Sequence, residues 1–288
     1  MEIVLSEVSE WLKEVLISGI LDNLTNLFTT VNDQVGSIAT DMATTPADFA
    51  PGVFALVQNV SETVILPVAG ILLTFICAYE LIQMIIEHNQ MANFETFTLF
   101  KWVMKTFFAV TLITNTFDIV MAVFDVAQNV IASSSDVIVG STAVSDLDLA
   151  AMQTTLEAME VGPLLGLYLQ SAVIGLTMRV LTIAIFIIVY GRMIEIYLMS
   201  SLAPIPMATF GNREQSMMGQ NYLRSLFAIG FQGFLILICV GIYAVLVQGI
   251  TVSEDIIASV WTIVGYTVLL TFTLFKTGSL SKAILGAH

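Results

Sequence analysis

The sequence predicts an all-α, polytopic membrane protein. Of its 288 residues, 57% are hydrophobic and 11% are charged, whereas soluble domains average about 45–50% apolar and about 25% charged residues. The mean hydropathy is +0.91. Apolar residues in this excess must face something other than water, which excludes an ordinary soluble enzyme and a disordered protein. The formal net charge of -14 also excludes a nucleic-acid-binding surface spread over the whole molecule, because phosphate binding needs Lys and Arg.

Hydropathy along the chain predicts about five transmembrane helices. A spanning helix needs about 20 mostly apolar residues. Pro67 lies in the first turn of the first such stretch, where its missing N–H is tolerated. The five stretches are 64–86, 103–125, 164–190, 226–248 and 256–275.

The segment 1–63 precedes the first predicted span. Its apolar residues recur at helical spacing opposite an acidic face, which predicts an amphipathic helix interrupted by Gly19. The acidic face argues against anionic lipid as a partner. Two interpretations remain open: a helix packed on its own membrane domain or on the bilayer, and a docking or oligomerisation helix. The predicted domains are therefore an extracytoplasmic amphipathic helical region with a linker, 1–63, and a transmembrane helical domain, 64–288.

The basic residues predict an orientation with the N-terminus outside and the C-terminus inside. With that orientation, seven of the nine Lys and Arg residues fall on the inner side. Lys13 is left outside, and Arg179 lies within the third span. The seven inner residues are Lys101, Lys105, Arg192, Arg213, Arg224, Lys276 and Lys282.

The sequence contains no pattern that predicts catalysis. It has no G-x-x-x-x-G-K-[ST], H-E-x-x-H, C-x-x-C or G-x-S-x-G. With His88 and His288 as its only histidines, a His-based metal site or triad is hard to build. Cys77 and Cys239 are too few for a disulfide framework. We therefore expect no enzymatic activity, no metal and no cofactor.

Polar side chains inside the predicted spans form a candidate intramembrane network. A charge in the hydrocarbon needs a partner or water. Arg179 lies near the middle of the third span, between Asp118 and Glu80 in predicted depth, and its long side chain could reach toward either. The network serves either as structural ion pairing between helices or subunits, or as the lining of a conduit. Its members are Glu80, Asn115, Asp118, Gln170 and Arg179.

An apolar segment with two prolines follows the third span. Pro204 and Pro206 are predicted to end the long third helix, and the apolar segment 200–212 is predicted to turn back at the inner membrane interface. Arg213 and Arg224 follow it. The segment is interpreted either as a structural elbow or as a cytoplasmic docking surface.

Just before the elbow, Arg192 and Glu195 are spaced three residues apart. This spacing predicts a local ion pair on one helical face.

Several segments resemble the TrbL-type inner-membrane subunit of type IV secretion and conjugation machines. The chain is similar to the short versions of this subunit found on conjugative elements of Gram-positive gut bacteria, and the resemblance covers roughly residues 60–288. The segments that carry it are Leu198-Met199-Ser200-Ser201-Leu202-Ala203-Pro204-Ile205-Pro206-Met207, Asn221-Tyr222-Leu223-Arg224-Ser225 and Phe231-Gln232-Gly233-Phe234.

The resemblance implies a membrane-embedded channel or scaffold subunit in the bacterial cytoplasmic membrane. It implies a homo-oligomeric ring, a pentamer by analogy, beneath a stalk or pilus, and other secretion subunits as partners, including stalk proteins and separate ATPases. It also implies indirect contact with transferred single-stranded DNA and its relaxase. The alternative function is a secondary transporter or small-solute channel, although the chain shows no internal repeat of the kind that many transporters have.

The predicted orientation can be tested with alkaline phosphatase fusions. We expect a fusion after residue 150 to be active, because that loop lies outside, and a fusion after residue 215 to be inactive. The reverse pattern of activity would refute the orientation.

Overall fold

A computed structural model describes residues 2–87, 96–139, 149–212, 215–248 and 256–287. These residues are helical almost throughout, and none of them is in a strand. The fold is all-α, as predicted. The helices are α1 (Glu2–Ala43), α2 (Pro46–Phe49), α3 (Pro51–Val60), α4 (Leu66–Glu87), α5 (Thr96–Thr114), α6 (Thr116–Val139), α7 (Leu149–Glu157), α8 (Val161–Leu202), α9 (Pro204–Ala208), α10 (Ser216–Gln248) and α11 (Ile256–Leu285).

The described residues contain six helical stretches long and apolar enough to cross a membrane, so the protein is polytopic. The predicted span 103–125 is occupied by two of them, α5 and α6, which meet at Asn115. There the Asn115 Nδ2 donates to the Thr111 carbonyl oxygen at 2.8 Å, and the Thr116 Oγ1 donates to the Leu112 carbonyl oxygen at 2.9 Å. The Asn115 N–H also donates to the Thr111 carbonyl oxygen at 3.2 Å, and the Ile119 N–H donates to the Asn115 carbonyl oxygen at 3.0 Å, so α6 follows α5 directly.

Helix α3 continues into α4 through one π-helical turn, Ser61–Ile65. Pro51–Ile86 is consequently a single apolar helical stretch. The predicted boundary between 1–63 and 64–288 falls inside this stretch, and that division stays a prediction.

Helix α1 is continuous through Gly19, so the predicted interruption there is wrong. A Cβ at position 19 would lie 2.6 Å from the Tyr168 Cε2 atom. The glycine therefore serves close packing: it lets the Tyr168 ring of α8 lie against the α1 backbone, and the backbone keeps its helical hydrogen bonds.

The chain divides into two compact units. Unit 1 comprises Met1–Met42, Ser133–Val189 and Ile236–Lys276. Unit 2 comprises Ala43–Ala132, Tyr190–Leu235 and Thr277–His288.

Within unit 1, α1 packs along α8 through polar contacts, and one aliphatic face of α1 is buried. The Asn23 Nδ2 donates to the Ser171 Oγ at 2.9 Å, and the Gln34 Nε2 donates to the Thr182 Oγ1. Because the residue numbers rise together along both helices, α1 and α8 are parallel. The buried aliphatic face of α1 comprises Leu16, Ile17, Ile20, Leu24, Leu27, Val31, Val35, Ile38 and Met42.

Unit 2 contains two buried clusters. One lies between α6, α8 and α10, and the other lies between α4, α5 and α9. The first comprises Val120, Phe124, Met193, Ile196, Tyr197, Ala203, Leu226 and Ile229, and the second comprises Ala69, Leu73, Cys77, Ala109, Ile113 and Ala208.

The close contact at Gly19 makes a stability prediction. We expect Gly19→Leu to lower the free energy of unfolding by about 1–3 kcal/mol, because the new side chain overpacks the contact with Tyr168. Gly36→Leu is the matched control on the same helix, since nothing lies within 4 Å of its added Cβ. Thermal unfolding of the two variants in detergent measures the difference, and equal stabilities would contradict this account of Gly19.

Candidate functional site

The proline elbow ends α8 where the sequence predicts that it should. Helix α8 ends at Leu202, and α9 begins at Pro204. A proline in the helix interior removes an N–H donor and clashes with the preceding turn. The short helix α9 is followed by a 3₁₀ turn, Thr209–Gly211, before α10.

The elbow is packed between α4 and α5. Pro204 is buried and Pro206 half-buried, and Ala208 belongs to the cluster with Leu73 and Ala109. A Cβ at Gly211 would lie 2.9 Å from the Leu73 Cδ1 atom. These contacts give the elbow a structural role within unit 2, and its role as a docking surface stays a prediction.

The start of α10 is bound to the elbow and to the end of α8. The Gly219 N–H donates to the Thr209 Oγ1 at 3.0 Å, and the Tyr222 hydroxyl donates to the Met199 carbonyl oxygen at 3.0 Å. A Cβ at Gly219 would lie 2.9 Å from the Pro206 carbonyl oxygen. Two of the three segments that carried the family resemblance are thus joined by direct contacts.

Of the two arginines predicted beside the elbow, one is described by the structure and the other is not. Arg213 lies outside the described residues. Arg224 is exposed, and its Nη1 donates to the Gly286 carbonyl oxygen at 3.5 Å. Gly286 has a φ of 61° and ends α11 in the left-handed conformation that favours glycine. Arg224 thus contacts the C-terminal end of α11.

Arg192 is a buried residue that the sequence analysis placed only in a local pair. It is 2% exposed, its Nε donates to the Ile229 carbonyl oxygen, and its Nη2 donates to the Gly230 carbonyl oxygen, both at 3.2 Å. Its planar guanidinium has several donors in a fixed arrangement, which suits it to bridging successive carbonyls of α10. The arginine therefore joins α8 to α10 inside unit 2.

Two glycines of α10 make room for this arrangement. A Cβ at Gly233 would lie 2.8 Å from the Arg192 Nη2 atom and 2.7 Å from the Ile131 Cδ1 atom. A Cβ at Gly230 would lie 3.2 Å from the Ala127 Cβ atom. Gly230 and Gly233 are three residues apart in the sequence, a spacing that alone identifies no partner.

Glu195 contacts a different cation from the one predicted. The Lys282 Nζ lies 3.1 Å from the Glu195 Oε1, which joins α8 to the end of α11 in unit 2. The sequence could not indicate this pair, because its members are 87 residues apart.

The predicted intramembrane network has three members in unit 2. Glu80, half-buried, forms an ion pair with Lys105 between α4 and α5. Asn115 marks the junction of α5 and α6, and Asp118 is exposed one turn later. The function of these residues as one network stays a prediction.

The other two members, Gln170 and Arg179, lie on α8 in unit 1, and both are exposed. Arg179 lines a groove of about 470 Å³ between α8 and α1, together with Asn23, Asn26 and Thr30. Among the described residues, no carboxylate lies within ion-pair distance of Arg179. The arginine therefore lies beside amide and hydroxyl groups of α1.

Comparison with known families gives one match. A family model described as TrbL/VirB6 plasmid conjugal transfer like protein matches residues 31–204, which is more than half of the chain. The chain belongs to this family.

The matched range of this TrbL/VirB6 family starts inside α1 and ends at the elbow. It therefore contains both members of the Gln34–Thr182 contact, together with Arg179 and Arg192. The segments at 221–225 and 231–234 that also carried the resemblance lie beyond it. Comparison with curated proteins and with solved structures gives no significant match.

The buried arginine makes the second stability prediction. We expect Arg192→Lys to lower the free energy of unfolding by about 2–3 kcal/mol, because one ammonium cannot reproduce both charge-assisted contacts in a site shaped for a guanidinium. Arg224→Lys is the matched control, since Arg224 is exposed and has one long contact. Thermal unfolding in detergent measures both, and an Arg192→Lys variant as stable as Arg224→Lys would contradict the bridging role.

Proposed function

We propose that this protein is a membrane-embedded channel or scaffold subunit of a conjugative type IV secretion machine. It supports the transfer of a DNA–protein substrate and the assembly of a stalk or pilus. The observation that carries the proposal is the family match over residues 31–204, which identifies a conjugal transfer component. The six apolar helical stretches make it a multi-pass membrane protein, and we propose the bacterial cytoplasmic membrane as its location.

The packing of unit 2 favours a substrate path between copies over a path through this unit. The cluster between α6, α8 and α10 is filled by side chains such as Phe124, Met193 and Leu226, each 1% exposed or less. The space beside Gly233 is occupied by the Arg192 guanidinium. A substrate as large as a DNA strand has no passage through this cluster, so a conduit requires several copies around it.

The first turns of α1 offer a surface for contact between copies. Four large apolar side chains at helical spacing are exposed there, next to the acidic residues Glu7, Glu10 and Glu14. Exposed apolar patches on proteins mark interaction sites. We propose that this patch contacts another copy in a ring, with a pentamer as the stoichiometry suggested by the resemblance. The patch comprises Val8, Trp11, Leu12 and Val15.

The other proposed partners are ATPases, stalk proteins, single-stranded DNA and its relaxase. It has no P-loop sequence, so we propose that separate ATPases supply the energy and that stalk proteins assemble on the ring. Five of the seven cations predicted on the inner side have partners within the protein. These cations are Lys101, Lys105, Arg192, Arg224 and Lys282. This favours indirect contact with single-stranded DNA and its relaxase, through other subunits, over a dedicated DNA-binding surface.

One observation favours the alternative function, a secondary transporter or small-solute channel. The groove beside Arg179, about 470 Å³, is of a size that holds a small ligand. Uptake of a solute by the purified protein in vesicles, without any other secretion subunit, would favour this alternative.

The proposed function predicts the phenotype of a deletion. We expect an in-frame deletion of the gene to reduce conjugative transfer to the detection limit of a mating assay, because the ring is needed for every transfer event. Expression of the full-length protein in trans is the control and should restore transfer. Unchanged transfer in the deletion strain would refute the proposal.

A further inference from the structure

An aliphatic stripe on α8 marks the part of unit 1 that faces lipid. Its seven residues are between 49% and 65% exposed. At 100° per residue they fall within an arc of about 80°, and exposed apolar side chains continue along the same face of α8 at Ile194 and Leu198. The stripe comprises Leu165, Leu169, Val173, Leu176, Val180, Ile183 and Ile187.

Helix α1 lies beside the middle of this stripe. Its contacts with α8 run from Gly19 against Tyr168, through Asn23 and Ser171, to Gln34 and Thr182. All three α8 residues lie within the length of the stripe. The α1 residues from 19 to 34 are therefore at the same depth as the lipid-facing side chains of α8.

The exposed face of α1 at this depth is polar. The exposed large apolar side chains that are described for α1 all precede Leu16. From residue 18 onward the exposed side chains that the structure describes lie opposite the buried aliphatic face, and two of them are carboxylates. These side chains are Ser18, Asp22, Thr25, Asn26, Thr29, Asp33, Ser37 and Thr40.

A face of this composition is costly in lipid. An ionised carboxylate at the centre of a bilayer costs about 2.5–3.5 kcal/mol on insertion scales, and each unsatisfied hydroxyl or amide adds to the cost. Within one unit and at one depth, α8 presents an aliphatic surface and α1 presents a hydrophilic one. These two surfaces require two different surroundings.

The position of Arg179 also indicates water beside α1. It lies off the aliphatic stripe and lines the groove on the α1 side, beside Asn26 and Thr30. Because no described carboxylate is within ion-pair distance, its charge needs water at that position. The groove is thus the place where the polar face of α1 and an intramembrane cation would share solvent.

We propose that α1 is an intramembrane helix whose polar face lines a water-filled compartment enclosed by copies of this protein. The contacts of Gly19, Asn23 and Gln34 hold α1 on α8, while the stripe on α8 faces lipid. The inference rests on the proposed function in one respect, since it is the assembled ring that encloses the water. It replaces the expectation of a wholly extracytoplasmic segment 1–63 with a helix that enters the membrane.

Electron spin-echo measurements with deuterium can distinguish water from lipid at each position. The protein, with Cys77→Ala and Cys239→Ala, carries one nitroxide at a time, on Thr29→Cys, Asp33→Cys or Ser37→Cys of α1. The matched controls at the same depth are Val180→Cys and Ile183→Cys of α8. The oligomer is isolated from cells that carry the complete conjugation apparatus and is placed in lipid nanodiscs.

We expect the α1 nitroxides to show several-fold deeper modulation from D₂O than the α8 nitroxides. With deuterated acyl chains in ordinary water, we expect the opposite order. Acyl-chain modulation at the α1 positions would overturn the proposal, because the helix would then face lipid. Equal D₂O modulation at α1 and α8 would overturn it, because unit 1 would then lie outside the membrane. The absence of both D₂O and acyl-chain modulation at α1 would also overturn it, because the face would then be covered by protein.

Failure of this inference and failure of the proposed function are distinguishable. A deletion strain that still transfers DNA refutes the function but leaves the spin-label pattern at α1 unaffected. Loss of the D₂O signal at α1 refutes the water-filled compartment but leaves the transfer phenotype of the deletion unaffected.

Discussion

The contact between α1 and α8 is the constraint on which the functional interpretation of unit 1 depends. It consists of hydrogen bonds from Asn23 and Gln34 to α8, with Gly19 against the Tyr168 ring. The two side-chain hydrogen bonds fix the register of the helices. Once that register is fixed, the exposed polar face of α1 lies alongside the exposed apolar stripe of α8.

Two arginines of α8 show how one helix uses the same side chain in different ways. Arg192 is buried and bridges main-chain carbonyls of α10 in unit 2. Arg179 is exposed in a polar groove of unit 1. A guanidinium satisfied by carbonyls stabilises the packing of two helices, whereas one beside open polar space remains available to water. Arg192 is consequently the structural residue, and Arg179 is the one suited to a conduit.

The sequence predicted the features that depend on local chemistry. Pro204 indicated the end of α8, and the apolar stretches indicated the membrane helices. It did not predict the junction at Asn115, because hydropathy does not distinguish this position from the rest of the apolar stretch. Nor did it predict the buried site of Arg192, since a single sequence does not reveal which carbonyls a distant arginine meets. The distribution of Lys and Arg predicted that α1 lies outside, but the sequence did not indicate that α1 pairs with α8, because the contacting residues are 148 residues apart.

The central claim is that a ring of these subunits places α1 toward an aqueous interior and the α8 stripe toward lipid. Cryo-electron microscopy of the oligomer isolated in lipid nanodiscs tests it most directly. The account predicts a closed ring in which the polar face of α1 borders the central space and the residues from Leu165 to Ile187 contact the lipid belt. A particle with α1 on its lipid-facing perimeter, or a single copy with no enclosed space, would contradict it.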